Sequence, residues 1–143
     1  MRKLLKKQQG FTLLELLIVI VIIGILALII VPGLASGPKR ARDAQRKSDM
    51  RAVKNALETY YNDNNSYPAG DYAGLTSYLV NAYIPSMPAD PKTGNTGYTY
   101  TPSPSGCAVG ACTSYVLDAT LENTKDSQIK SGTTHTYEVT STN

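Results

Sequence analysis

The stretch GFTLLELLIVIVIIGILALIIVPGL, Gly10 to Leu34, decides how the rest of the chain is read. From Leu16 to Val31 every residue is apolar or Gly. With Phe11 to Leu14 added, the run rises about 30 Å as a helix, enough to cross the hydrocarbon core of a bilayer. Glu15 stands inside it. A carboxylate in such a span costs roughly 2.5–3.5 kcal/mol on insertion scales, so its presence points to a role. The plainer alternative is a signal anchor whose Glu15 stays wet at the interface. A cleavable signal peptide would have a shorter apolar region followed by small residues of the A-x-A kind. None follows here, so the segment is expected to stay on the mature protein.

A cut between Gly10 and Phe11 would give Glu15 a partner. The new ammonium would sit at the first residue of the helix, one turn before Glu15, where it opposes the macrodipole and needs an anion. Glu15 could reach the amine of its own chain at the i, i+4 spacing, or that of a neighbour displaced by about one turn. Only the second arrangement makes a polymer.

Basic leader, Gly10, Phe11, Thr12, Leu13, Leu14, Glu15 and an apolar run closely resemble the class III signal of type IV pilins and of the pseudopilins of type II secretion. The resemblance implies that a membrane prepilin peptidase cuts after Gly10 on the cytoplasmic side and methylates the amine of Phe11. It implies that Glu15 neutralises a neighbouring subunit's amine during assembly, and that the helix loosens at Gly24 and Pro32 in the fibre. It also implies an α+β fold, with a long bent N-terminal helix, transmembrane in its first half, packed on a small C-terminal antiparallel sheet head. The segments are then a removed leader (1–10), a membrane and filament-core helix (11–34), its amphipathic continuation (35–61) and the head (62–143). Expected partners are further copies in a helical homopolymer, other pilins, the peptidase, an inner-membrane assembly platform with its cytoplasmic ATPase, and the membrane before assembly.

Beyond the apolar run, Pro32 removes a helix hydrogen bond, and Gly33, Gly37 and Pro38 weaken the helix further, so a bend is expected between Gly24 and Pro38. A second helix is expected from about Lys39, with Met50, Val53, Leu57, Tyr60 and Tyr61 as the stripe that faces a sheet. DNNSYP then stops it.

The formal net charge of +3 is unevenly spread. The leader carries +4 and residues 39–54 carry +5, whereas from Asn55 onward three Lys face eight acids, a net of −5. The basic segment holds no aromatic residue to stack on bases, and Asp43 and Asp49 are spaced to pair with Arg46 and Lys47. A solvated or subunit-pairing face is therefore expected, and direct nucleic-acid binding is not.

Counted by charge alone, the richer flank after the span would put the head in the cytoplasm. The family topology puts the leader there and the head outside, first on a single-pass membrane protein and then in an extracellular or periplasmic filament. Cys107 and Cys112, the two thiols of the chain, agree with that side. A close pair in an exported small head is most simply a disulfide, worth roughly 2 kcal/mol in the chain-entropy model. A metal site would lack ligands, with His135 the sole histidine.

In the head, Asp71 is expected to cap a helix bearing Leu75, Tyr78, Leu79, Ala82 and Tyr83. A Pro- and Gly-rich loop follows and leads to a strand near Tyr98 to Thr101. Asp90, Pro91, Gly94, Tyr98 and Tyr100 resemble the D-P-x-G-x-x-Y-x-Y pattern of the major pseudopilins, with departures at Lys92 and at Thr96-Gly97. Alternation then predicts a strand through Tyr115, Leu117, Ala119 and Leu121 and a last one through His135, Tyr137 and Val139. Ten Tyr suggest strands or wet, half-buried surface more than a deep core. The major pseudopilins hold calcium in a late head loop. Asp118, Glu122 and Asp126 are oxygen ligands of the right kind, but their spacing matches no EF-hand, and ordinary surface acids are the favoured reading.

No nucleophile and base pair or phosphate-cradling loop emerges, so no enzyme is expected and no cofactor beyond that calcium. The function expected is that of a structural subunit of a type IV pilus-like filament. The alternatives are a major pseudopilin of type II secretion, a DNA-uptake pilin and, in a different class, a membrane-anchored binding module.

Overall fold

A computed structural model of the chain describes residues 10–34, 37–92, 97–133 and 135–142, without the side chains of 29–34. The basic leader before Gly10, the Pro32 side chain, Gly94 and Thr96 lie outside the described residues. The bend expected between Gly24 and Pro38 falls partly on residues 35–36, also outside them. The chain divides into two compact units, 1–38 and 39–143.

The first unit holds α1, Leu13–Leu34, which continues through Gly24. Its described large apolar side chains stand uncovered, from Leu13 at 81 % exposure to Leu28 at 78 %, with none below 48 %. A helix that is apolar all round has no water-facing side. Among the described residues no helix is long and apolar enough to cross a membrane; the run from Phe11 to Leu34 read in the sequence includes the undescribed side chains of 29–34.

The second unit is α+β. Helix α2, Gly37–Asn64, is followed by the short α3, Leu75–Leu79, and by three strands, β1 Tyr98–Ser103, β2 Ser114–Thr120 and β3 Thr136–Thr140. The strands form an antiparallel meander in the order β1-β2-β3, with Tyr100 opposite Leu117 and Leu117 opposite Val139. The stripe of α2 meets this sheet as its spacing predicts. Met50, Val53 and Leu57 are fully buried in one cluster with Tyr98, Tyr115 and Leu117, and Tyr60 and Tyr61 flank it half-buried. The helix ends where expected, with Asn65 left-handed at φ 54° just beyond Asn64.

Three expectations change. Six of the ten tyrosines are core residues, whereas Tyr60, Tyr61, Tyr78 and Tyr83 stay half-buried, and Tyr67, Tyr98 and Tyr115 are among the largest fully buried side chains. Each buries its ring and passes its hydroxyl to an acceptor: Tyr98 donates to Asp49 at 2.7 Å, Tyr67 and Tyr115 to Glu58 at 3.0 and 2.9 Å, and Tyr100 to the Pro68 carbonyl at 2.8 Å. Burial, reinforced by the neighbouring carboxylate, pushes the Tyr98 and Tyr115 phenols up.

The second change concerns α3, which stops at Leu79 because Val80 turns extended and Asn81 adopts φ 68°, so Ala82 and Tyr83 leave the helix. Asp71 caps the turn before the helix, its Oδ1 accepting the Gly74 N–H at 2.9 Å. His135 likewise precedes β3 with φ 65°, where its carbonyl accepts the Leu121 N–H at 2.7 Å. Cys107 and Cys112 are joined by a disulfide, and the Cys112 carbonyl accepts the Tyr67 N–H at 2.9 Å, tying that small loop to the end of α2.

Candidate functional site: the processing and assembly segment

Gly10 and Phe11 precede α1 outside any helix or strand and are exposed, and nothing lies within 4 Å of where a Cβ on Gly10 would be. Phe11 is 90 % exposed. At the first turn, Glu15 and Thr12 make a reciprocal cap. The Glu15 carboxylate accepts the Thr12 N–H at 2.9 Å and the Thr12 hydroxyl at 2.8 Å, while the Thr12 hydroxyl accepts the Glu15 N–H at 3.2 Å. This is the capping-box arrangement, in which Thr and a Glu three residues later satisfy two of the amides that a helix N-terminus leaves without partners. It puts the carboxylate within one residue of the Phe11 nitrogen, on the positive end of the helix dipole. The spacing Thr-x-x-Glu is visible in the sequence, so Thr12 is the residue that the charge argument overlooks.

Lys39, Arg40 and Arg51 are exposed, but part of the basic segment of α2 departs from the solvated or subunit-pairing face expected of it. Arg46 is buried, as are Asp43 and Asp49. The Arg46 guanidinium grips Asp90 with two parallel bonds of 2.8 Å, reaches Asp43 at 2.7 Å and touches Glu122 at 3.0 Å. Arg42 forks onto both oxygens of Glu122 at 2.7 Å, and Lys47 bonds both oxygens of Asp126 at 2.7 Å. Of the pairings expected within the helix, Asp43 with Arg46 forms, whereas Asp49 takes the Gln45 amide and the Tyr98 hydroxyl, each at 2.7 Å. Arg46 is therefore the junction between α2, the loop at 90 and the loop at 122. The Asp-Pro motif supplies that junction, and Gly97 makes room for it, because a Cβ there would collide with the Asp90 carboxylate.

Asp118, Glu122 and Asp126 are not gathered around a common point for a cation. Glu122 and Asp126 face side-chain cations, and Asp118 lies on β2 opposite Glu138, where burial and then that like charge push its carboxyl up. Among the described residues no group of three or more His, Cys, Asp or Glu is arranged to hold a metal ion.

The ion pairs set an acid limit on the head. Hydrogen bonds from Arg42, and secondarily from Arg46, lower Glu122 from its ordinary 4.5 to about 2; Arg46 lowers Asp90, and Lys47 lowers Asp126. Because the folded values lie below the unfolded ones, the stability these groups contribute is fully present above about pH 4.5 and is lost as pH falls toward 2. Circular dichroism melts between pH 7 and 2 are expected to hold level to about pH 5 and decline below it. A melting temperature that falls already between pH 7 and 5 would contradict this.

Residues 5–31 match the family model described as the prokaryotic N-terminal methylation motif. The type II secretion system core protein G of Escherichia coli K12 is 42% identical over 98 residues, which cover 59% of this chain and 67% of that protein. Its counterpart in Aeromonas hydrophila is 40% identical over 99 residues, covering 60% and 68%, and that of Vibrio cholerae is 39% identical over 101 residues, covering 62% and 68%. No solved structure matches. Between pilus and secretion, the two closely related readings of the stem, these relatives carry the second, despite the departures at Lys92 and Thr96-Gly97. The chain belongs to the family of the type II secretion system core protein G, the pseudopilins with a prepilin methylation motif.

Proposed function

We propose that the chain is the subunit of a type II secretion pseudopilus, cleaved after Gly10, N-methylated at Phe11 and polymerised through α1 with Glu15 against the Phe11 amine of a neighbouring subunit. The observation that carries this reading is α1 itself, uncovered on every side along Leu13 to Leu28 with its one charge at the first turn. Such a helix needs lipid first and other helices afterwards, and a buried ammonium in either setting needs a carboxylate. Glu15 stands ready with an orientation fixed by Thr12.

Before assembly the leader faces the cytoplasm and the head the periplasm, where a disulfide persists. Prepilin peptidase, the assembly platform with its ATPase, and other pseudopilins are the partners in this reading, and Gly24 and Pro32 are the places where α1 loosens as subunits pack.

Intact mass and N-terminal sequencing of the protein from membranes test the first step. The expected chain begins with N-methyl-Phe11 when the peptidase is present and with the leader when it is absent. A chain that keeps its leader in both strains would sink the proposal.

A further inference from the structure

The loop from Leu121 to Thr133 leads from β2 to β3 and is fastened to α2 at three points. The Asp43 carboxylate accepts the backbone N–H groups of Glu122 and Asn123 at 2.9 and 2.8 Å. Arg42 and Arg46 together hold Glu122, and Lys47 holds Asp126, with its ammonium 5.7 Å from the centre of the Tyr137 ring. Asp126 in turn accepts the Gln128 N–H at 2.9 Å, which shapes the loop from within.

This is the region where the resemblance to major pseudopilins implies calcium, so the donor set can be tested for fit. Calcium takes six to eight oxygens, drawn from carboxylates, carbonyls and water. Here both oxygens of Glu122 face guanidinium groups and both oxygens of Asp126 face an ammonium. Four carboxylates, Asp43, Asp90, Glu122 and Asp126, meet four cations, Arg42, Arg46, Lys47 and the more distant Lys92. The cluster is thus already neutral, and a divalent ion at either loop acid would meet a fixed positive charge. The cleft of about 410 Å³ beside the loop is lined by Arg40, Lys47 and Lys125 against Asp43 and Asp126, a balance that repels cations. The residues present do not fit the metal.

We infer that in this chain the side-chain cations Arg42, Arg46 and Lys47 of α2 fasten the late head loop, and that the head folds and keeps that loop without calcium. The inference concerns the folded monomer and stands whether or not the chain polymerises.

The full chain in detergent, melted in about 1 mM calcium and again in excess EGTA, tests it. The expected melting temperatures agree within about 1 °C, whereas a calcium site filled at a hundred times its dissociation constant would raise that of a small domain by about 10 °C. The variant Lys47→Gln is expected to melt about 5 °C lower, equally in both buffers. A large rise of the unaltered chain in calcium would overturn the inference, as would a Lys47→Gln chain as stable as its parent. Should Lys47→Gln fail to fold, the comparison of the unaltered chain in the two buffers still decides.

Discussion

Replacing Arg46 by Met is expected to lower the stability of the head by about 3–5 kcal/mol, the cost of breaking a buried ion pair from one side. Arg46 is 3% exposed and its three nitrogens serve Asp90, Asp43 and Glu122. Met restores most of the volume, so the loss falls on the acids left behind. Asp43, 2% exposed, keeps only the N–H groups of Glu122 and Asn123 among its described contacts, and Asp90 keeps that of Lys92. Arg46→Lys retains the charge without the planar fork and is expected to lie between the two. Urea titration of the full chain in detergent reads the difference. An Arg46→Met chain within 1 kcal/mol of its parent would show that the pairs do not couple the loops at 90 and 122 to α2.

The second large effect belongs to Glu15. Glu15→Leu is expected to abolish filaments while membrane insertion persists, since the substitution removes roughly 2.5–3.5 kcal/mol of insertion cost. A lost helix cap could weaken assembly as well, and Glu15→Gln separates the two causes. Gln serves in a capping box almost as well as Glu, yet it carries no charge. If the carboxylate neutralises a neighbour's amine, Glu15→Gln loses filaments as Glu15→Leu does, by a factor of 10 or more, corresponding to about 1.4 kcal/mol or more per subunit contact. If the cap alone matters, Glu15→Gln assembles normally and the neutralisation proposal fails. Counting sheared filaments against membrane-retained subunit by immunoblot distinguishes the outcomes.

Features set by local periodicity were legible in the sequence. The apolar run, the stripe Met50, Val53, Leu57, the alternation through Tyr115, Leu117 and Ala119, and the stop at DNNSYP each depend on neighbours within a turn or a strand. Arg46 was not legible as a core residue, because its partners Asp90 and Glu122 lie 44 and 76 positions away and no spacing rule reaches that far. Its pairing with Asp43, three residues off, was the part the sequence could show. The buried tyrosines misled for a related reason: whether a Tyr can be buried depends on an acceptor for its hydroxyl, and Glu58, Asp49 and the Pro68 carbonyl become acceptors only once the head has folded. In α3 the hydrophobic spacing continued past Leu79, but the left-handed backbone at Asn81 outweighed it. At Thr12 the capping signal was present, and the membrane reading of the same residues masks it.

The fork of Arg46 on Asp90, with Gly97 cleared of a side chain to admit it, also bears on how this head can change over generations. A neutral residue at 46 strands an acid, a neutral residue at 90 strands a guanidinium, and any side chain at 97 evicts the carboxylate. Substitutions at these three positions should therefore be accepted together or not at all. Exposed positions of α2 such as Arg51 carry no such linkage and are free to drift one at a time.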